Sequence, residues 1–219
     1  MRIAIAGAGA VGRSIAQELF DGGHEVMLVE RGTENYLPTS LPGVEWVLAD
    51  ACELASLEEA GLQSCDVVIA ATGDDKVNLV VALLAKTEFA VRRVVARIND
   101  PRNEWLFTDA WGVDVAVSTP RMLAAVVEEA VSVGDLVRLM TLRQGQANLV
   151  EVTLPPDTPL AGQRVRDLAL PQDAALVTIL RGGRVIVPQP DDPLEAGDEM
   201  LFVTSDELED RIREVVHGR

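Results

Sequence analysis

The opening dozen residues, Met1-Arg-Ile-Ala-Ile-Ala-Gly-Ala-Gly-Ala-Val-Gly12, run a short apolar segment straight into Gly-x-Gly-x-x-Gly. A strand that delivers such a turn into a helix leaves few folds open. Arg13 to Asp21 supply the helix, with Ile15, Ala16, Leu19 and Phe20 on one face. Each glycine has a physical task. Gly7 permits a tight turn, Gly9 lets the backbone approach a pyrophosphate, and Gly12 lets the helix pack closely on the strand. Ala8, Ala10 and Val11 fill the positions between them. The N-terminus of the helix then offers free N–H groups and a positive dipole to a phosphate. A chain that opens this way binds a nucleotide or descends from one that did. The turn lacks the Gly-Lys-Ser/Thr ending of a P-loop, which excludes hydrolysis by that route.

Alternating elements follow. Strands are expected at Glu25–Glu30, Val44–Leu48, Asp66–Ala70, Arg93–Arg97 and Asp114–Val117. Between them lie a short helix, Leu54–Ala60, closed by Gly61, and a helix capped by Asp74 or Asp75 that carries Val77, Leu79, Val80, Leu83 and Leu84. Another is expected to open at Pro101 and run through Trp105, Leu106 and Phe107. Strands separated by helices indicate an α/β fold with a doubly wound parallel sheet of the Rossmann type. The near-continuous apolar runs suit strands covered on both faces.

Pro120 begins a further helix, Arg121–Ser132, with Leu123, Val126, Val127, Ala130 and Val131 at helical spacing. The sixth strand has already ended, so this helix leaves the sheet. Gly134 marks a boundary, giving a nucleotide-binding module at 1–133 and a small α+β module at 134–219. In the second module the strands are Asn148–Leu154, Ala175–Arg181, Arg184–Pro188 and Glu199–Thr204, with a hairpin signal at Arg181-Gly-Gly-Arg184. A final helix capped by Ser205 carries Leu208, Ile212 and Val215.

Charge restricts the partners. The net charge is −16, with 10 basic and 20 acidic residues up to Val133 and 9 and 15 beyond it. Acidity spread over both modules repels nucleic acid and anionic lipid and suits a basic protein surface. No apolar run approaches the roughly 20 residues of a membrane helix, and the glycine turn interrupts any signal-peptide core. The expected location is cytoplasmic, without direct membrane insertion. Cys52 and Cys65 make neither a CxxC site nor a disulfide framework, and read as reduced thiols.

The second checkpoint is Glu30, 18 residues past Gly12, where a carboxylate can accept hydrogen bonds from both ribose hydroxyls of an adenosine. Arg31 is a cation that would suit a 2′-phosphate, but Glu30 repels one, which favours the unphosphorylated ribose. Asp50 and Ala51 close the third strand, where a side chain or a backbone group can read adenine. Ala71, Thr72 and Gly73 close the fourth and Arg97 the fifth, at the crevice where ligands sit outside the carboxyl ends of strands. The catalytic inventory is thin: two histidines (His24 and His217), two lysines (Lys76 and Lys86) and one tyrosine (Tyr36). A dehydrogenase needs a positioned proton donor, and no suitable one stands out. No cluster has zinc spacing. The expectation is a binding protein without a catalytic centre, with a small NAD(P)-dependent oxidoreductase as the alternative.

The ordered set Ile5-Ala-Gly-Ala-Gly-Ala-Val-Gly12, Glu30, Leu48-Ala-Asp-Ala51, Ala70-Ala-Thr-Gly-Asp-Asp75 with Asn78, Ala96-Arg-Ile-Asn99 with Pro101, and Trp111-Gly-Val-Asp-Val115 through Pro120 resembles the RCK/KTN regulatory proteins of bacterial potassium uptake, the TrkA-like gating subunits. Leu160-Ala-Gly-Gln-Arg-Val-Arg-Asp-Leu168 and Pro193-Leu-Glu-Ala-Gly-Asp198 extend the resemblance through the second module. It implies a soluble regulator of a Trk/Ktr-type membrane K+ transporter. Such subunits assemble from dimers into octameric rings, as a homo-oligomer or mixed with a sibling chain. A regulator of a cation/proton antiporter is the neighbouring alternative. The resemblance also makes the helix from Arg121 a crossover and hinge to a neighbour. Two positions depart from the ATP-sensing members, which carry Arg within the glycine turn and Glu after the proline; here Val11 and Arg121 stand there. NAD+/NADH is therefore the expected ligand, with ADP or ATP as alternatives.

Overall fold

In the computed structural model, residues 1–131, 133–142 and 147–217 are described. They form two compact units, Met1–Pro120 and Arg121–Arg219.

In the first unit, strands β1 (Arg2–Ala6), β2 (Glu25–Glu30), β3 (Glu45–Leu48), β4 (Val67–Ala70), β5 (Arg93–Ile98) and β6 (Val115–Ser118) form one sheet in the order β3-β2-β1-β4-β5-β6. Every pairing is parallel. Period-two alternation splits β1 between two cores. Ile3 and Ile5 pack with Val26, Leu28 and Ala16 on one face, whereas Ala4 and Ala6 join Met27, Val29, Val68 and Leu79 on the other. The chain winds outward from β1 in both directions, so a crevice opens where β1 and β4 lie side by side. Helix α1 (Ala10–Asp21) begins inside the glycine turn, three residues before the expected Arg13, because Gly12 is itself buried in its first turn. Helices α2 (Leu54–Glu59) and α3 (Asp75–Thr87) follow their expected places. The helix expected after Pro101 is a 3-10 turn, Pro101–Leu106, and Trp105 on it is 74% exposed. Too little of its surface is buried to support a longer helix.

Helix α4 (Thr119–Val131) starts one residue before Pro120; Ser132, its expected last residue, lies outside the described residues. In the second unit, strands β7 (Val137–Leu142), β8 (Ala147–Thr153), β9 (Ala175–Arg181), β10 (Arg184–Ile186) and β11 (Glu199–Thr204) make an antiparallel sheet in the order β10-β9-β11-β8-β7. Its core joins Val150, Val152, Ile179, Met200 and Phe202 to Ile212 and Val216 of helix α5 (Glu209–Val216). Strand β7 was not expected from the sequence. The helix begins at Glu209, after a 3-10 turn at Asp206–Leu208, and Ser205 makes no side-chain cap. None of the described helices is long and apolar enough to cross a membrane.

Candidate functional site

A cleft of about 630 Å³ lies at the carboxyl ends of the central parallel strands. Gly7, Gly9, Ala10 and Val11 line it from the glycine turn, Glu30 and Arg31 from the end of β2, and Asp50 and Ala51 from the end of β3. Ala71, Thr72 and Gly73 line it after β4, and Arg97 from β5. Ala8 and Gly12 are buried and do not line it. Their parts are structural. The Ala8 N–H donates to Glu30 Oε2 at 2.7 Å, and a Cβ on Gly12 would stand 1.9 Å from the Gly7 carbonyl oxygen. Gly7 itself has φ +100°, and a Cβ there would press on Thr72 Cα at 2.9 Å. The turn, α1 and the end of β4 are thus packed backbone to backbone.

Glu30 is held on both sides, because its Oε1 accepts from the Gly32 N–H at 2.8 Å. The carboxylate is therefore fixed at the lip of the cleft, where a ribose diol would meet it. Arg31 reaches Asp50 at 3.5 Å, and Asp50 Oδ1 accepts from the Cys52 N–H at 2.9 Å. Arg13 turns back to the Ala8 carbonyl at 2.5 Å and takes no part in the cleft wall. Burial, reinforced by the Asp50 carboxylate, pushes the Cys52 thiol up, so it is a poor nucleophile.

The sequence reading missed Val29, Asn35, Ala49, Asp74 and Val77 as lining residues. It also missed what Asn78 does. This fully buried side chain accepts from the Thr72 N–H at 2.9 Å and from Thr72 Oγ1 at 2.7 Å, and donates to the Arg97 carbonyl at 2.8 Å. It ties the end of β4 to the end of β5. A polar residue at an inward position of α3, four after the N-cap aspartate Asp74, was the available signal. Asp74 caps α3 by accepting from the Lys76 N–H at 2.8 Å.

Asp75 faces inward instead and is 7% exposed. It accepts from the Asn99 N–H at 2.6 Å, the Asp100 N–H at 3.0 Å and Asn103 Nδ2 at 2.8 Å. Burial alone would raise its pKa. The hydrogen bonds from Asn103, Asn99 and Asp100 outweigh burial and hold the carboxyl below its usual range. A lowered native pKa gives stability that is present above the unfolded value, about 3.9, and is lost as the pH falls through the native one. Asp75→Asn should therefore cost about 1–3 kcal/mol at pH 7, with a gap to the wild-type chain that narrows below about pH 4. Urea melts at both pH values test this; an equal gap at both would remove the charge from the account.

The glycine turn leaves open space over the N-terminus of α1. A Cβ built on Gly9 meets nothing within 4 Å, and Gly9 precedes the first turn of α1, whose N–H groups have no side-chain cap. Three carboxylates, Glu30, Asp50 and Asp74, face two guanidiniums, Arg31 and Arg97, so the lining is weakly acidic. No histidine, lysine or tyrosine is among the lining residues. Among the described residues no cluster of His, Cys, Asp or Glu could hold a metal ion.

The TrkA-N domain family model matches residues 3–119 and the TrkA-C domain model residues 149–217. Two proteins from Mycobacterium tuberculosis strains, both called Trk system potassium uptake protein TrkA, are 65% identical over 212 residues, covering 97% of this chain and 96% of theirs. A TrkA homolog of Methanothermobacter thermautotrophicus is 29% identical over 216 residues, 97% of this chain and 98% of its own. Among solved structures, the GsuK channel bound to NAD superposes on the whole chain with a TM-score of 0.71. At 17% identity that likeness concerns the fold, and this chain spans 39% of the channel chain. GsuK bound to ADP matches 58% of this chain and 33% of its own, at 28% identity and a TM-score of 0.52.

Proposed function

Because this chain belongs to the TrkA family, whose N- and C-terminal domain models it matches in order, we propose that it is the nucleotide-sensing regulatory subunit of a Trk-type potassium uptake system. The observation that carries this reading is 65% identity to the TrkA proteins of Mycobacterium tuberculosis across nearly the full length of both chains. The cleft supplies the sensor and α4 an output. Met122, Leu123, Val126, Val127 and Val131 on α4 are 45–75% exposed, an apolar stripe suited to another subunit of a ring. We group α4 with the sensor, so the functional modules run 1–133 and 134–219. The membrane partner is a K+ transporter subunit, and the acidic chain, at −16, suits the Lys- and Arg-rich cytoplasmic loops such proteins carry. On this reading the subunit works in the cytoplasm, at the inner face of the membrane.

NAD+ or NADH is the favoured ligand, with ADP or ATP behind it. Val11 brings no cation to the glycine turn, and the weakly acidic lining disfavours a triphosphate more than a dinucleotide. GsuK, which shares the fold, has been solved with NAD and with ADP. An oxidoreductase is the weaker reading, since the lining offers no His, Lys or Tyr as proton donor.

Calorimetric titration with NAD+, NADH, ADP and ATP tests the assignment. Binding of a dinucleotide tighter than ATP is expected, and ATP preferred by tenfold or more would overturn the argument from Val11. Glu30→Gln, which keeps one acceptor for the turn, should weaken any adenosine ligand by about 1–2 kcal/mol. Undiminished affinity would remove Glu30 from the site.

A further inference from the structure

Arg97 stands apart from the other charges of the cleft. Arg31 has Asp50 opposite it, whereas Arg97 has no carboxylate partner among the described residues. Its main chain is fixed, with its carbonyl accepting from the buried Asn78 at 2.8 Å, so only the side chain can turn. That side chain donates from Nε to Thr119 Oγ1 at 3.2 Å, the long edge of the range for such a bond. Thr119 is the first residue of α4. Ser118 precedes it in the position from which a serine ordinarily caps a first helical turn, yet its buried hydroxyl has no partner among the described residues. One long hydrogen bond, from a guanidinium with no carboxylate partner among the described residues, therefore links the wall of the cleft to the first residue of α4.

A phosphate oxygen is a stronger acceptor for a guanidinium than a neutral hydroxyl. We infer that an anionic group of the bound ligand takes Arg97 from Thr119, so that occupancy of the cleft is passed to the first turn of α4. The inference rests on the nucleotide-sensing reading above and names the residue pair through which the signal leaves the site. A ligand shifts a conformation only by its difference in affinity for two states, and here the two states give one guanidinium different partners. Thr119 thus acts on binding through Arg97, as a competitor that never touches the ligand.

Thr119→Val keeps the β-branched shape and removes the acceptor. Nucleotide affinity of the full chain, measured by calorimetry with NADH and ADP, should rise about fivefold. In the wild-type chain, ligand should change amide hydrogen exchange over the first turn of α4; in Thr119→Val it should not. Thr119→Ser keeps the hydroxyl and should behave as wild type. Unchanged affinity in Thr119→Val with an intact melt overturns the inference, as does an equal ligand response of α4 in both chains. If Thr119→Ser shifts along with Thr119→Val, the effect is packing and the inference fails. A wild-type chain that binds no nucleotide instead removes the function proposed above, and this inference with it.

Discussion

Arg181→Met should lower the melting temperature of the second unit by on the order of 15 °C, the signature of a loss of about 3–5 kcal/mol. The reason is Asp198, a carboxylate with no exposed surface. Arg181 grips it at both oxygens, Nε to Oδ1 at 2.6 Å and Nη2 to Oδ2 at 2.8 Å, and the same guanidinium donates to the Pro193 carbonyl at 2.8 Å. Its third arm reaches Glu195 at 2.5 Å. One side chain from β9 thereby closes the whole 193–198 turn that leads into β11. Removing it leaves a buried carboxylate whose remaining hydrogen bond among the described residues comes from the Glu195 N–H at 2.9 Å. Burying a charge without a partner is what makes such a deletion costly, far beyond the net worth of the pair itself. Two controls separate this from a general effect of lost arginines. Arg164→Met removes a pair with Asp191 in which both side chains are about half exposed or more, and should cost less than about 1 kcal/mol. Adding Asp198→Asn to Arg181→Met should recover much of the loss, since the amide keeps an acceptor for Glu195 and carries no charge. Calorimetric melts of the full chain read all three. A loss for Arg181→Met no larger than for Arg164→Met would show that Asp198 finds another partner or water.

The contrast between that turn and the rest of the second unit explains what sequence reading reaches and what it does not. Glu195-Ala-Gly-Asp198 is legible as a turn, but nothing local says that Asp198 is buried or that Arg181, 17 residues earlier, neutralises it. Long-range ion pairs have no period. Strand β7 escaped for a related reason. Val137-Arg-Leu-Met-Thr-Leu142 has a register shift between Arg138 and Met140, so its faces do not alternate cleanly, and only pairing with β8 defines it. In the first unit the strands and the strand–turn–helix opening were legible because glycine spacing and apolar runs are local signals. Of the lining residues that sequence reading missed, Asn35 and Asp74 are polar loop positions whose chain direction, and not their chemistry, brings them to the cleft. The Ala8–Glu30 hydrogen bond was equally hidden, although both residues had been singled out for other reasons.

Gly9→Ala and Gly12→Ala should part company, although the two glycines lie three residues apart in one motif. At Gly12 an added Cβ would meet the Gly7 carbonyl oxygen at 1.9 Å, and backbone cannot swing aside as a flexible side chain can. Either the turn opens or α1 lifts from β1, so Gly12→Ala should destabilise the first unit by about 3 kcal/mol or more. Gly9 has φ −65° and ψ −175°, which any residue adopts, and a Cβ there meets no protein atom within 4 Å. Gly9→Ala should therefore fold with a stability within about 0.5 kcal/mol of wild type. Its cost falls on the ligand, because the new methyl group occupies the space over the N-terminus of α1 where a phosphate would approach the backbone. Nucleotide affinity should fall at least tenfold, about 1.4 kcal/mol. Urea melts and calorimetry on the two variants give four numbers, and the pattern matters more than any one of them. Gly12→Ala losing stability while Gly9→Ala loses only binding would mean that the first glycine after the turn faces the ligand and the last faces the fold. If Gly9→Ala bound every nucleotide as tightly as the wild-type chain, the phosphate would have to lie elsewhere, and the glycine turn would be an inherited support for α1 and not a sensor.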